Sequence, residues 1–245
     1  MSNSTLSPQL LSQATLFLEE LVDWQEGLPS LTWQDINAQV RPEQIALFSV
    51  DMINGFCHAG ALASPRVKGI IPAVVDVFTG AYEAGVRNFV LAQDSHSVDA
   101  AEFADFPPHC IAGTSEAENI PELAALPFAH LFYTVRKNSL SAFHNTNLGE
   151  WLSAHPDLRI ALIVGDCTDL CVQQMALHLK LSANATDNTN LRVIVPENAV
   201  QTYDIPVATA QELGSLPHDG DVMHLLALYH MRLNGVEVVR EIKRA

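Results

Sequence analysis

A chain of 245 residues with 48% hydrophobic and 17% charged side chains can bury a sizeable core, and one large α/β domain is expected ahead of two small ones. Its 28 acidic against 13 basic side chains give a formal net charge of -15, a field that repels phosphate and argues against nucleic acid or an anionic membrane as a partner. Cys57, Cys110, Cys167 and Cys171 are too few and scattered for a disulfide framework, and no run reads as a secretory leader or membrane span, so reduced thiols in a cytoplasmic protein are expected.

From about Ser7 to Val22, apolar residues at helical spacing (Leu10, Leu11, Ala14, Leu16, Phe17, Leu21) predict a helix that serves as packing or oligomer surface. Gly27-Leu28-Pro29-Ser30 ends it, and residues 1–40 form a helical extension ahead of a core over 41–245. Pro42-Glu43 leads into an apolar strand, Gln44 to Val50, that ends at Asp51. A helix over about Val67 to Ala84 closes at Gly85, and the strand Asn88 to Gln93 ends at Asp94. A long loop rich in His, Pro and acidic residues precedes the strand His130 to Arg136, which ends at Lys137.

A short helix near Leu148–Ser153 comes next, then the wholly apolar strand Arg159 to Val164, the turn Gly165 to Val172 and a helix through Gln173 to Leu179. The strand Leu191 to Val195, an amphipathic helix from about Asp219 to Asn234 closed by Gly235, and a last strand over Val236 to Val239 complete the pattern. Apolar strands alternating with helices predict a doubly wound, mostly parallel sheet with helices on both faces, a Rossmann-type three-layer α/β fold. In such a sheet ligands bind beyond the carboxyl ends of the strands at the topological switch point. Asp51, Asp94, Lys137 and the Cys171 turn all lie at carboxyl ends, whereas purely structural residues would fall at either end.

A cysteine at a strand-to-helix turn meets the free amides and positive dipole end of the helix, which favours an ionised thiol and a stabilised oxyanion. Taken singly, Cys171 could be a small buried packing residue, Asp51 the cap of a turn and Lys137 a solvated strand end. Taken together they supply the nucleophile, the base and the cation of acyl transfer. Separately, Asp94, His96, Glu102 and His109 offer a ligand set suited to zinc, manganese or iron(II), although either histidine could instead be a hydrogen-bonded loop residue and Glu102 a surface charge.

These residues stand in Asp51-Met52-Ile53-Asn54-Gly55-Phe56, Asp94-Ser95-His96, Pro107-Pro108-His109-Cys110-Ile111-Ala112-Gly113-Thr114, Lys137-Asn138-Ser139-Leu140-Ser141-Ala142-Phe143 and Gly165 through Val172. In this order they resemble the motifs of the isochorismatase-like cysteine hydrolases, nicotinamidases most of all, over about Gln44 to Val200. The resemblance implies that Cys171 is the nucleophile, Asp51 the general base and acid, and Lys137 the cation beside them. It implies a cis peptide between Asp166 and Cys167, with the backbone N–H groups of Cys167 and Cys171 as the oxyanion hole. Asp94, His96 and His109 would hold one divalent metal ion, zinc ahead of manganese or iron, with Glu102 as a further ligand directly or through water. Phe56 and Phe106 would sandwich the substrate ring.

The implied reaction deaminates nicotinamide to nicotinate and ammonia through a thioester, as a step of NAD salvage, with a small-molecule amide as the only partner besides further copies in a homo-oligomer. Three positions depart from the family pattern: Ser95 and Phe106 stand where tryptophan is frequent, and Asp166 stands where an apolar residue is usual and has no assigned role. Two rival readings remain, a relative acting on another small amide, ureido or carbamoyl compound, and a catalytically silent binding or scaffold subunit. The intact Asp51, Lys137 and Cys171 speak against the second.

Overall fold

The computed structural model describes residues 7–244; the expectation for the leader, at Met1–Thr5, lies outside them. The strands are β1 (Leu31–Thr32), β2 (Ile45–Val50), β3 (Asn88–Asp94), β4 (Phe132–Lys137), β5 (Ile160–Asp166), β6 (Arg192–Pro196), β7 (Val200–Gln201), β8 (Glu237–Val239) and β9 (Ile242–Lys243). The helices are α1 (Pro8–Glu26), α2 (Trp33–Asn37), α3 (Asn54–Cys57), α4 (Pro65–Gly69), α5 (Ile71–Glu83), α6 (Pro121–Ala124), α7 (Leu148–Ala154), α8 (Cys171–Ala185), α9 (Val207–Leu213) and α10 (Gly220–Leu233). No described helix is long and apolar enough to cross a membrane.

The main sheet runs β4-β3-β2-β5-β6-β8, with β7 pairing beside the carboxyl end of β5, and every pair is parallel. Every residue of β2 and β5 is buried, because a parallel sheet with helices on both faces leaves neither side of its central strands wet. Successive side chains point to opposite faces. Ile45, Leu47, Leu91 and Leu162 accordingly enter one core with Phe78 of α5, while Ala46, Phe48, Val90 and Ile163 enter the other with Met175 of α8 and Leu228 of α10.

Strand order reverses between β2 and β5, which makes the gap beyond their carboxyl ends the switch point. Gly165 is what allows the two strands to approach there. Its φ is +117°, and a Cβ would lie 2.0 Å from the Val50 carbonyl oxygen. Across the same gap Asp51 takes up φ +54°, an uncommon conformation for a residue other than glycine and one that turns the chain sharply out of β2.

Several boundaries differ from the sequence expectation. The helix predicted over 67–84 is two helices, α4 and α5, because Pro72 has no N–H to donate and is tolerated only in a first turn. The strand predicted from His130 begins at Phe132, with Ala129–Leu131 forming a 3-10 turn. Helix α1 continues to Glu26, since Trp24 extends the apolar stripe and meets Tyr229 of α10 edge-on, as Phe17 does. Trp33 and Ile36, within the stretch treated as an extension, are buried in the core, and β1 pairs with β9 from the other end of the chain.

Candidate active site

The register brings the reactive groups together before any side chain is considered. Asp94 pairs with Lys137 across β3 and β4, and the Asp94 N–H donates to Asp51 Oδ1 at 2.8 Å. The Lys137 ammonium, 1% exposed, lies 2.8 Å from Asp51 Oδ2, 2.5 Å from Asp94 Oδ1 and 3.5 Å from Cys171 Sγ. One buried cation thus serves two buried carboxylates and a thiol. Asp51 Oδ2 makes an ion-pair distance to the ammonium but no aligned hydrogen bond, so a lone pair is left for the thiol proton.

Charge and burial set the protonation states. Burial, and then the charge of Asp94, push the Asp51 carboxyl up to about 6 against the pull of Lys137. Burial also works against Asp94, but the charge of Lys137 holds it well below the usual carboxylate range. Burial would lower Lys137, and the charges of Asp51 and Asp94 outweigh it and hold the ammonium well above its ordinary value. The thiol corrects the sequence expectation. Cys171 does begin α8, but burial first, with Asp51 and Asp94 adding to it, raises the thiol well above its usual value despite Lys137. The resting group is a thiol beside a base.

The Asp166–Cys167 peptide is cis. Among the described residues the N–H groups of Cys167 and Cys171 donate to no backbone carbonyl, while their neighbours Thr168 and Leu170 do. Two N–H groups without a backbone acceptor therefore stand in the Cys171 turn, and an oxyanion needs such donors. All four cysteines are free thiols, with no bond between Cys167 and Cys171.

Asp94, His96 and His109 are brought together, with ligand atoms within 4.8 Å of one another. His96 Nδ1 lies 2.9 Å from Asn138 Oδ1, an oxygen that also accepts from the Ser97 N–H, and His109 Nδ1 donates to the Pro107 carbonyl at 2.8 Å. Both Nδ1 atoms must carry the proton, which leaves lone pairs on the two Nε2 atoms. These lie 3.5 Å and 3.8 Å from Asp94 Oδ2, itself an acceptor, and His96 Nε2 is buried without a hydrogen-bond partner. Three converging acceptors with no proton between them fit a cation. Glu102 stands outside this group, its Oε1 3.9 Å from His96 Nε2, at a distance that suits a water-bridged role.

A cavity of about 590 Å³ opens over Cys171, within the size range of small-molecule sites. Phe56 and Phe106 both line it, and Phe56 meets His109 edge-on at 5.6 Å. Sequence reasoning missed Leu62, Leu140, Leu170, Tyr203, Ile205 and Leu216 on its walls. The segment carrying the last three folds back through a bridge between Ile205 and His218, and His218 is held by Asp169 at 2.7 Å. The Asp169 position in the Cys171 turn was the available signal.

Residues 45–239 match the isochorismatase domain family. Nicotinamidase 1 of Arabidopsis thaliana is 30% identical over 215 residues, covering 82% of this chain and 88% of that protein. Among solved structures, the nicotinamidase/pyrazinamidase of Bacillus subtilis superposes with a TM-score of 0.62 at 27% identity, covering 80% of this chain and 99% of that one. N-carbamoylsarcosine amidase of Thermoplasma acidophilum gives 0.59 at 26% identity, covering 80% and 96%.

Proposed function

The chain belongs to the isochorismatase family, and within it to the nicotinamidase-like cysteine hydrolases that act on non-peptide amides, and from that premise we propose that it deaminates nicotinamide to nicotinate and ammonia. The observation that carries this choice of substrate is the charge of the cavity. Glu102 and Asp105 line it beside the Lys137-paired Asp51 and Asp94, and no lysine or arginine is among the lining residues. Such a wall accepts an uncharged aromatic amide between Phe56 and Phe106 and repels an acid. It favours release of the nicotinate product.

Asp51 takes the Cys171 proton as Sγ attacks the carboxamide carbon, and the N–H groups of Cys167 and Cys171 receive the oxyanion. Collapse of the adduct expels ammonia with the proton from Asp51 and leaves a thioester on Cys171. Asp51 then takes a proton from water, whose oxygen attacks the thioester and releases the acid. The thiol regains its proton from Asp51. Lys137 holds the negative charge that moves between Asp51 and Sγ. A divalent cation held by Asp94, His96 and His109, zinc ahead of manganese or iron, would supply a Lewis-acid anchor for a ring nitrogen.

Because Asp51 must be ionised to act as the base, kcat/KM is expected to rise with pH through about 6, falling roughly tenfold for each unit below it. A profile flat from pH 5 to pH 8 would remove Asp51 from this role. The test of the function itself is ammonia release from nicotinamide with and without chelator. Turnover is expected to fall at least ~10-fold on chelation and to return with added zinc, manganese or iron(II), with about one metal ion per chain by elemental analysis. A protein fully active without metal would favour the carbamoyl or ureido reading instead.

A further inference from the structure

Asp166 ends β5 where Asp51 follows β2, and since Val50 pairs with Gly165 the two carboxyl groups stand on neighbouring strand ends at the switch point. The proposed reaction does not use it. It is 1% exposed and lines the same cavity as Cys171, yet its Oδ2 has no hydrogen-bond partner; Oδ1 has only the Cys167 thiol, 3.8 Å away. A buried oxygen left unpaired costs stability, and native proteins keep few of them. Two others belong to this site, and each has a reacting partner in view: Asp51 Oδ2 faces the thiol proton and His96 Nε2 the cation position.

The charges around Asp166 say what it can offer. The buried ammonium of Lys137 is already shared between Asp51 and Asp94, and no arginine or lysine is among the cavity-lining residues. A third carboxylate would be uncompensated. Burial, and then the neighbouring Asp51, favour the neutral acid. A neutral carboxyl has one O–H to donate, so its complement on a ligand is an acceptor.

We propose that Asp166 is a specificity-determining residue of the amide site: its free Oδ2 hydrogen-bonds an acceptor atom that the substrate carries in addition to the scissile carboxamide and the ring nitrogen of nicotinamide. This rests on the amidase reading, keeps nicotinamide as a substrate, and ranks ahead of it the heteroaromatic carboxamides with a second ring acceptor. A site built to hydrogen-bond a substrate atom discriminates strongly against the analogue that lacks it.

The test compares kcat/KM for nicotinamide with that for its aza analogues, in each of which a different ring C–H is replaced by nitrogen, pyrazinamide among them. Wild type is expected to favour at least one analogue. Asp166→Leu is expected to cut that preference, relative to nicotinamide, by roughly 10- to 100-fold, mainly through KM, and Asp166→Asn, which keeps an N–H donor, to retain it within about threefold. Referring each variant to nicotinamide cancels the intrinsic reactivity of the analogues. Thermal melting checks the fold, and Asp166→Val decides the ratio if the leucine variant does not fold. Ratios unchanged in the apolar variant for every analogue, including a uniform loss on all of them, overturn the role of Asp166 alone. Wild-type protein that hydrolyses no amide overturns the amidase reading, and this proposal with it.

Discussion

Cys171→Ala is expected to lower kcat for amide hydrolysis by roughly 10⁴-fold or more while leaving the melting midpoint within about two degrees of wild type. The activity loss is large because Lys137 stands beside Cys171 alone: Cys167, the nearest thiol in sequence, is buried, has its pKa raised first by that burial, and has only Asp166 Oδ1 near its sulfur, at 3.8 Å. The stability change is small because Lys137, 3.5 Å from the thiol, keeps both of its carboxylate partners. Alanine also suits the first position of α8. Ammonia release and a thermal melt read the two effects separately. A variant that keeps more than about a hundredth of the activity would exclude Cys171 as the nucleophile.

Periodicity made the central sheet legible, because β2, β3 and β5 are apolar runs with no polar face to confuse them with loops. The carboxyl-end rule for parallel sheets then put Asp51, Asp94, Lys137 and Cys171 on one edge from the sequence alone. What local pattern could not supply is how distant segments return. The wall from Tyr203 to Leu216 reaches the cavity through pairing between Ile205 and His218, and β1 meets β9 across nearly the whole chain; neither contact leaves a mark on neighbouring residues. The protonation of Cys171 was out of reach for a related reason. A helix N-terminus lowers a thiol and burial raises it, and the sequence reports the first but not the extent of the second.

Lys137→Met is expected to be the most damaging substitution to the folded state. The methionine fills much of the same space, so the loss is mainly one of charge. Asp51 and Asp94, buried and joined through the Asp94 N–H, would face each other with no cation between them. Removing one partner of a buried ion pair costs about 3–5 kcal/mol, which for a chain of this size lowers the melting midpoint by roughly 6–20 °C. The effect has a pH signature. Without the ammonium the folded-state carboxyl pKa values rise, so between the unfolded carboxylate value and the new folded one the native state binds more protons, and the variant loses stability as pH increases through that window.

Of this pair, Asp51 alone is raised in wild type, to about 6, while Asp94 is depressed; the variant should therefore fall further behind wild type at pH 8 than at pH 5. Melts at both pH values in chelator, so that no bound cation takes the place of the ammonium, measure the difference. Activity should fall as well, since the negative charge passing between Asp51 and Sγ loses its counter-ion. An equal shift at the two pH values would mean that Lys137 contributes packing and not charge, and the electrostatic account of the site would fail at its centre.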